Sequence, residues 1–362
     1  MTTKERIMSV YNNVKPDKVP ITIYDRYLPR GSIEREVREL GVGIIKYSPV
    51  VSMLAPPWHI GPGYLSEVAN TDINVKYFWD KGVMVERRSF KTPVGSVYQE
   101  VSADPSGAGS EHIRKHYISE AEDYKVIQYI VEHTVVKARN GAGELLKKEL
   151  GEDGVVFGRL DRSPYQKCLI ELAGAERFFI DLVTDPEPVT ELLHTLYSKM
   201  TGSIEKIVSV NPDVFWQPDN ITVEMTPPDK YMKYCMPVYE VFGKAIKEAG
   251  KPYLVHIDGK MKPLKDLINQ SSFDIIESLS YKTIGGDYAL TEAYNDFPKK
   301  VIIPNYPTNA CYMEDKKIFD YTVNLIEEAS SHPFLISFSE DIPPSQWQRL
   351  IPIVCKAVGS IK

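Results

Sequence analysis

Val214–Gln217 (VFWQ), Pro228–Ala249 and Tyr253–Ile257 (YLVHI) follow one another as an apolar run, a helix-patterned segment and a second apolar run. The runs are short, β-branched or aromatic, and continuous in their apolar character, which suits parallel strands covered on both faces. The segment between them opens with Pro just inside the helix and stops at Gly250, the asymmetry expected of helix ends. This is one strand–helix–strand unit. Its kind recurs along the whole chain.

Six further runs have the same character: Val19–Tyr24 (VPITIY), Val42–Tyr47 (VGIIKY), Val155–Leu160 (VVFGRL), Phe273–Leu279 (FDIIESL), Val301–Asn305 (VIIPN) and Phe334–Phe338 (FLISF). Helices are expected at Ser32–Leu40, with Ser32 as N-cap, and across Glu120–Leu150, broken near Gly141. Two more are expected in Pro164–Val208, parted at Asp185-Pro186, and others at Asp315–Ser330 and Pro344–Val358. Eight strand–helix units predict a single α/β domain over 1–362, a (β/α)8 TIM barrel. The rival is a doubly wound open sheet. It would carry a Gly-rich phosphate loop after its first strand, and Tyr24–Gly31 (YDRYLPRG) is not one.

Val75–Val101 interrupts the rhythm. It alternates like a strand around Asp80-Lys81-Gly82 and Pro93-Val94-Gly95, so it reads as an antiparallel β-hairpin inserted after strand two. Ser102–Ser110 is rich in small residues and reads as a loop. The insertion 75–110 is either a lid or an ornament.

Composition excludes several classes. The chain has 362 residues and a net charge of −6, against a nucleic-acid binder, whose surface must replace phosphate counterions. The four cysteines (Cys168, Cys235, Cys311, Cys355) are scattered without C-x-x-C, so a reducing compartment is expected rather than a disulfide framework. No apolar run has the length of a membrane span or a secretory h-region, and a cytoplasmic location is expected.

In a barrel of this kind chemistry comes from the C-terminal ends of the strands. Here those ends are polar: Tyr24 and Arg26, Arg159, Trp216 with Asn220, His256 with Asp258, Glu277, and Glu340. Strands end in polar loops anyway, and a lone histidine is more often a satisfied core residue than a ligand. His256 is not alone. Asp258 lies two residues on, so both side chains can face one way, and Glu277 and Glu340 end strands six and eight. One imidazole and carboxylates with an open position make a workable catalytic zinc site. Tyr24 and Trp216 could sandwich an aromatic ring, and Arg26, Arg159 and Arg162 could hold a ring carboxylate or pair internally.

Three stretches carry a resemblance: Thr3–Val19 (TKERIMSVYNNVKPDKV), Lys91–Val97 (KTPVGSV) and Val255–Gly259 (VHIDG). Together, and in order, they resemble the uroporphyrinogen decarboxylase superfamily over nearly the whole chain. That resemblance implies a (β/α)8 barrel and two possible activities. The decarboxylase branch acts without a metal on tetrapyrrole polycarboxylates through an N-terminal arginine-rich signature. Asp25–Arg30 (DRYLPR) echoes only its second half, and Asp25, Arg26 and Arg30 would hold the carboxylates.

The other branch comprises corrinoid-dependent methyltransferases, whose zinc is held in the coenzyme M type by His-x-Cys and a later Cys. His256 matches the first ligand. Asp258 and Glu340 stand where the thiolates would be, with Glu277 and Glu224 in reserve. Carboxylates leave zinc a harder Lewis acid than thiolates do. The resemblance therefore implies the methyltransferase component of an O-demethylase system. Zinc would polarise the ether oxygen of a methoxyaromatic donor, and a separate corrinoid (cobalamin) protein would take the methyl group. A non-catalytic binding protein on the same scaffold is the third reading.

Overall fold

Along each predicted strand, every second residue faces the same way, and the structure shows which way. The computed structural model describes residues 1–28, 30–56, 66–103, 111–343 and 345–361. In chain order the strands are β1 (Ile21–Tyr24), β2 (Gly43–Pro49), β3 (Asp72–Asp80), β4 (Val83–Thr92), β5 (Gly95–Ala103), β6 (Glu111–Lys115), β7 (Gly154–Arg159), β8 (Val214–Gln217), β9 (Tyr253–His256), β10 (Ile275–Leu279), β11 (Val301–Pro304) and β12 (Ile336–Phe338). All eight predicted runs are strands of one parallel sheet, ordered β11-β10-β9-β8-β7-β2-β1-β12. Its two ends meet through a parallel bridge between Asn305 and Ser337, with the Tyr306 N–H donating to the Ser337 carbonyl at 3.1 Å. The sheet is thus a closed (β/α)8 barrel, and the open-sheet alternative is ruled out.

Val155, Phe157, Val214, Leu254, Ile275, Ile303 and Leu335 fill the barrel's interior as one buried cluster. The N-terminal helix Thr3–Tyr11 closes the lower end. Its first turn is fixed by a capping box of Thr2 and Glu5, and Ile7, Val10 and Tyr11 join the interior cluster. Each such burial contributes about 1.5–3 kcal/mol. The helix seats closely because Gly43 has no side chain: a Cβ there would stand 2.4 Å from Ile7 Cδ1.

Gly154 is tighter still, since a Cβ would lie 1.9 Å from the Ile44 carbonyl oxygen of the paired strand. Backbone cannot rotate away as a side chain can. Gly154→Ala is therefore expected to destabilise the barrel by at least about 1–3 kcal/mol, the usual range for overpacking. Denaturant unfolding at equilibrium checks this, and an unchanged midpoint would contradict it.

Three sequence expectations change in detail. The helix after β1 starts with Ser32 inside it and Gly31 as its cap, at φ 91 and with no side-chain cap bond. Ser32 is not the N-cap, because Gly31 already supplies the backbone reversal that a cap requires. The break in 120–150 falls between Ala121–His133 and Asn140–Leu150, where Thr134 and Ala138 form antiparallel bridges with Val68 and Val51. The region 164–208 holds more than two helices, although a new one does begin at Pro186.

The inserted hairpin is present as β3 and β4, and it is half of a larger element. β5 and β6 extend it to a four-stranded antiparallel sheet, β3-β4-β5-β6. The alternation of β6 falls beyond the predicted span. Ser102 and Ala103 belong to β5, and the rest of the expected loop, 104–110, lies outside the described residues. Phe90, Val97 and Tyr124 share one core, so the inner strands pack on the helix Ala121–His133. The four cysteines are all free.

Candidate active site

The period-two alternation that fills the interior also decides what reaches the mouth. Arg159 is two residues beyond Phe157, His256 two beyond Leu254, and Glu277 two beyond Ile275, all three of which are interior residues. Each polar strand end therefore inherits an inward direction. The structure brings Tyr24, Arg26, Arg159, Trp216, Asn220, His256, Asp258 and Glu340 to one cavity of about 430 Å³. Arg162 lines it too, whereas Glu277, Glu224, Asp25 and Arg30, also singled out from the sequence, do not.

Glu277 lies behind His256. It is 1% exposed. One of its oxygens accepts from His256 Nδ1 and the other from the Tyr24 hydroxyl at 2.9 Å. With both oxygens engaged below the cavity it is placed to orient the histidine rather than to ligate a metal. Glu277 reaches this position across the β9–β10 register, in which it is the direct partner of His256. Just after it the register shifts, and Ser278 takes φ 67 while its hydroxyl meets that of Ser339 at 3.1 Å. Asn220, at φ 51, is the second left-handed residue of the site. Such conformations are uncommon outside glycine and are most readily adopted by Asn and Asp.

On its cavity side, His256 Nε2 stands 3.3 Å from Asp258 Oδ2. The Asn220 amide donates to that oxygen at 2.7 Å, and Arg162 in turn donates to the Asn220 carbonyl oxygen at 2.6 Å. Burial by itself would lower the His256 pKa. The Glu277 and Asp258 charges outweigh it and raise the pKa to about 10. Their partner keeps the Asp258 carboxyl below its usual range, against burial. In metal-free protein His256 is then an imidazolium at neutral pH.

Its folded pKa lies above the unfolded value of about 6.5. The stability it contributes is fully present below that pH and is lost as pH rises through about 10. Denaturant titrations of metal-free protein across this window are expected to show the decline, and to show it flattened in Glu277→Gln. A flat profile in the wild type would contradict the assignment.

Two donors about 2.0–2.1 Å from a tetrahedral zinc stand roughly 3.3 Å apart. The His256–Asp258 pair has this spacing. Glu340 lines the same cavity but is held by the Asn305 amide at 2.5 Å. Among the described residues no group of three His, Cys, Asp or Glu is already gathered for a metal. The donor chemistry thus fits two corners of a zinc site, and Glu340 is the other carboxylate that lines the cavity. Glu224 is away from it, paired with Lys260 at 2.9 Å.

The walls are aromatic. Trp216 packs edge-on to Tyr24 at 5.9 Å and against Tyr47 at 5.5 Å, and Tyr24 stacks on Tyr27 at 6.0 Å. Of the decarboxylase candidates only Arg26 lines the cavity. Arg30 is occupied by Asp25 and by Glu34.

A buried ion cluster underlies one side. Lys167, fully buried, binds Asp161 at 2.8 Å and Glu171 at 3.0 Å, and Glu171 also takes Arg162 at 3.0 Å. Sequence reasoning missed Lys167 and Glu171. They sit in the helical run Lys167–Leu172, where charged residues read as a solvated face, and no local signal says otherwise.

The family model described as uroporphyrinogen decarboxylase (URO-D) matches residues 105–359. No curated protein matches the chain in sequence. Among solved structures, a methyltransferase from Methanosarcina mazei is similar over 99% of this chain and 99% of its own, at 13% identity and a TM-score of 0.56. A glycoside hydrolase family 5 enzyme from Prevotella bryantii covers 99% of this chain and 98% of its own at 9% identity, with a TM-score of 0.42. The first likeness is one of fold, and the second is too distant to bear on this chain.

Proposed function

The chain belongs to the uroporphyrinogen decarboxylase family, and from the residues at its barrel mouth we propose that it moves a methyl group from an O-methylated aromatic donor to the cobalt of a separate corrinoid protein. The observation that carries this reading is the His256–Asp258 pair, held at zinc-like spacing in an aromatic-walled cavity and backed by Glu277. The fold likeness to a methyltransferase agrees with it. The metal-free decarboxylase reading is weaker, because neither Asp25 nor Arg30 is among the cavity's lining.

His256 and Asp258, with Glu340 as third donor, would hold zinc, which when bound draws electron density from the ether oxygen and makes a phenolate a better leaving group. The chain's own residues do the rest. Tyr24, Tyr47 and Trp216 clasp the donor ring. Glu277, itself fixed by Tyr24, keeps the imidazole turned so that Nε2 faces the cavity. Asn220 holds Asp258 in place. The methyl carbon must remain open to the cobalt, so the corrinoid protein docks over the mouth. As to location, no helix among the described residues is long and apolar enough to cross a membrane.

The test is direct. Zinc-loaded protein is mixed with a panel of methoxylated aromatics and a reduced corrinoid protein, and cobalt methylation is followed by its absorbance change. Methyl transfer from an aryl ether supports the proposal. Decarboxylation of a polycarboxylate with no transfer from any ether would replace it.

A further inference from the structure

We propose that the protein carries a second ligand site, outside the barrel between the helices Pro186–Thr201 and Met236–Glu248, and that it takes an aromatic anion. Such a site stands apart from the methyl-transfer reading. It is a cavity of about 400 Å³, nearly the size of the one at the mouth, and the two share no lining residue. Concave spaces of this size, apolar with a few placed polar groups, are where small molecules bind.

The first wall comes from the spacing of residues in Pro186–Thr201. Val189, Leu192, Leu196 and Met200 are buried in the main core and seat the helix. Thr190, Leu193, His194 and Tyr197 fall three and four residues apart, so they share a neighbouring stripe. That stripe lines the cavity. The second wall follows from Pro237. It has no N–H, and its ring crowds the carbonyl four residues back, that of Lys233. The chain there takes a π-helical turn, Tyr231–Cys235, a rare form that is frequent at functional sites. Lys233, Tyr234 and Pro237 line the cavity from this side, together with Pro164.

The lining sets the class of ligand. Two tyrosine rings, two proline rings and Leu193 offer flat apolar faces, which suit a planar ring. The Tyr234 ring is held in advance: it stacks on that of Tyr165 at 5.6 Å. Tyr165 is fully buried, packs edge-on to Phe178 at 5.0 Å, and donates its hydroxyl to the Met225 carbonyl at 3.0 Å. A wall fixed beforehand spares the ligand the cost of ordering it. Charge is chosen by the polar groups. Lys233 is exposed, makes no ion pair among the described residues, and keeps its ammonium over the Tyr234 ring at 4.9 Å. His194 adds ring nitrogens from the facing helix. No Asp or Glu lines the cavity among the described residues, so nothing there neutralises the lysine or repels an anion.

Wild-type protein is titrated calorimetrically with naphthalene-2-sulfonate, with its neutral counterpart naphthalene-2-sulfonamide, and with inorganic phosphate. The sulfonate is expected to bind saturably and about 10-fold more tightly than either, the low end for hydrogen bonds to a charged group. Lys233→Gln should bring sulfonate and sulfonamide together. Thr190→Trp fills the cavity without changing charge and should remove the binding of both. Neither side chain is buried, so denaturant midpoints of the variants are expected to stay near the wild type's. Lys233→Gln decides alone should Thr190→Trp fail to fold.

Sulfonate binding that both variants leave untouched overturns the proposal, since the sulfonate would then lie at the mouth or elsewhere. So does equal binding of sulfonate and sulfonamide by the wild type, which removes the anion preference. Phosphate as tight as the sulfonate removes the aromatic one, and no saturable binding removes the site. None of these readings needs zinc or a corrinoid protein, so the outer site and the methyl-transfer reading can fail separately.

Discussion

His256→Ala is expected to lower methyl transfer by roughly 10³-fold or more and to abolish stoichiometric zinc binding. The size follows from what the imidazole supports. Losing several kcal/mol of charge stabilisation at the leaving oxygen costs about that factor in rate. The substitution also has a structural cost. It leaves Glu277, 1% exposed, with only the Tyr24 hydroxyl as hydrogen-bond partner among the described residues, and an orphaned buried charge costs about 3–5 kcal/mol. The single variant could thus fail by unfolding alone.

The double variant His256→Ala/Glu277→Gln separates the two effects. It removes the orphaned charge, so it is expected to recover much of the lost stability while remaining inactive and metal-poor. Elemental analysis, denaturant midpoints and transfer assays on the three proteins check this together. Near-wild-type transfer in either variant would remove His256 from the chemistry.

Lys167→Met is expected to cost stability on the same scale, a loss of about 3–5 kcal/mol. The lysine is wholly buried and is the sole ion-pair partner of Asp161 among the described residues. Without it Asp161 keeps, among the described residues, the Leu54 N–H at 2.9 Å. Replacing a whole buried pair by neutral groups is far milder than removing one partner. Lys167→Met/Asp161→Asn should therefore be more stable than the single variant. Urea or guanidinium unfolding of both decides. A single-variant loss under about 1 kcal/mol, or a double variant no better than the single, would show that water already relieves the cluster. Because the same cluster braces Arg162, which holds Asn220 against Asp258, the single variant is also expected to weaken zinc binding.

The signals that were legible in the chain are local ones. Apolar runs separated by helix-length segments predict eight strands, and eight strands with covering helices predict a barrel. Alternation then sends Arg159, Trp216 and His256 to the same interior, because a residue two places beyond an interior one faces inward too. The insertion was legible where its alternation is strong, in β3 and β4, and not at β6.

What only the tertiary structure decided depends on neighbours distant in sequence. That Glu277 stands behind His256 follows from the β9–β10 register, since shifting it by one residue would turn the carboxylate to the other face. That Lys167 is buried follows from two carboxylates meeting it, one of them at the end of another element; its own helical spacing points equally well to solvent. That Arg159 has a long ion pair to Glu171, at 3.7 Å, while Arg162 hydrogen-bonds both Glu171 and Asn220 is a matter of which oxygens are already taken. The sequence by itself determined the barrel and which strand ends face its mouth, because backbone periodicity is a property of adjacent residues. Cavity residue, brace and buried ion cluster were told apart only by the closed sheet, because hydrogen-bond partnership is a property of residues that the fold brings together.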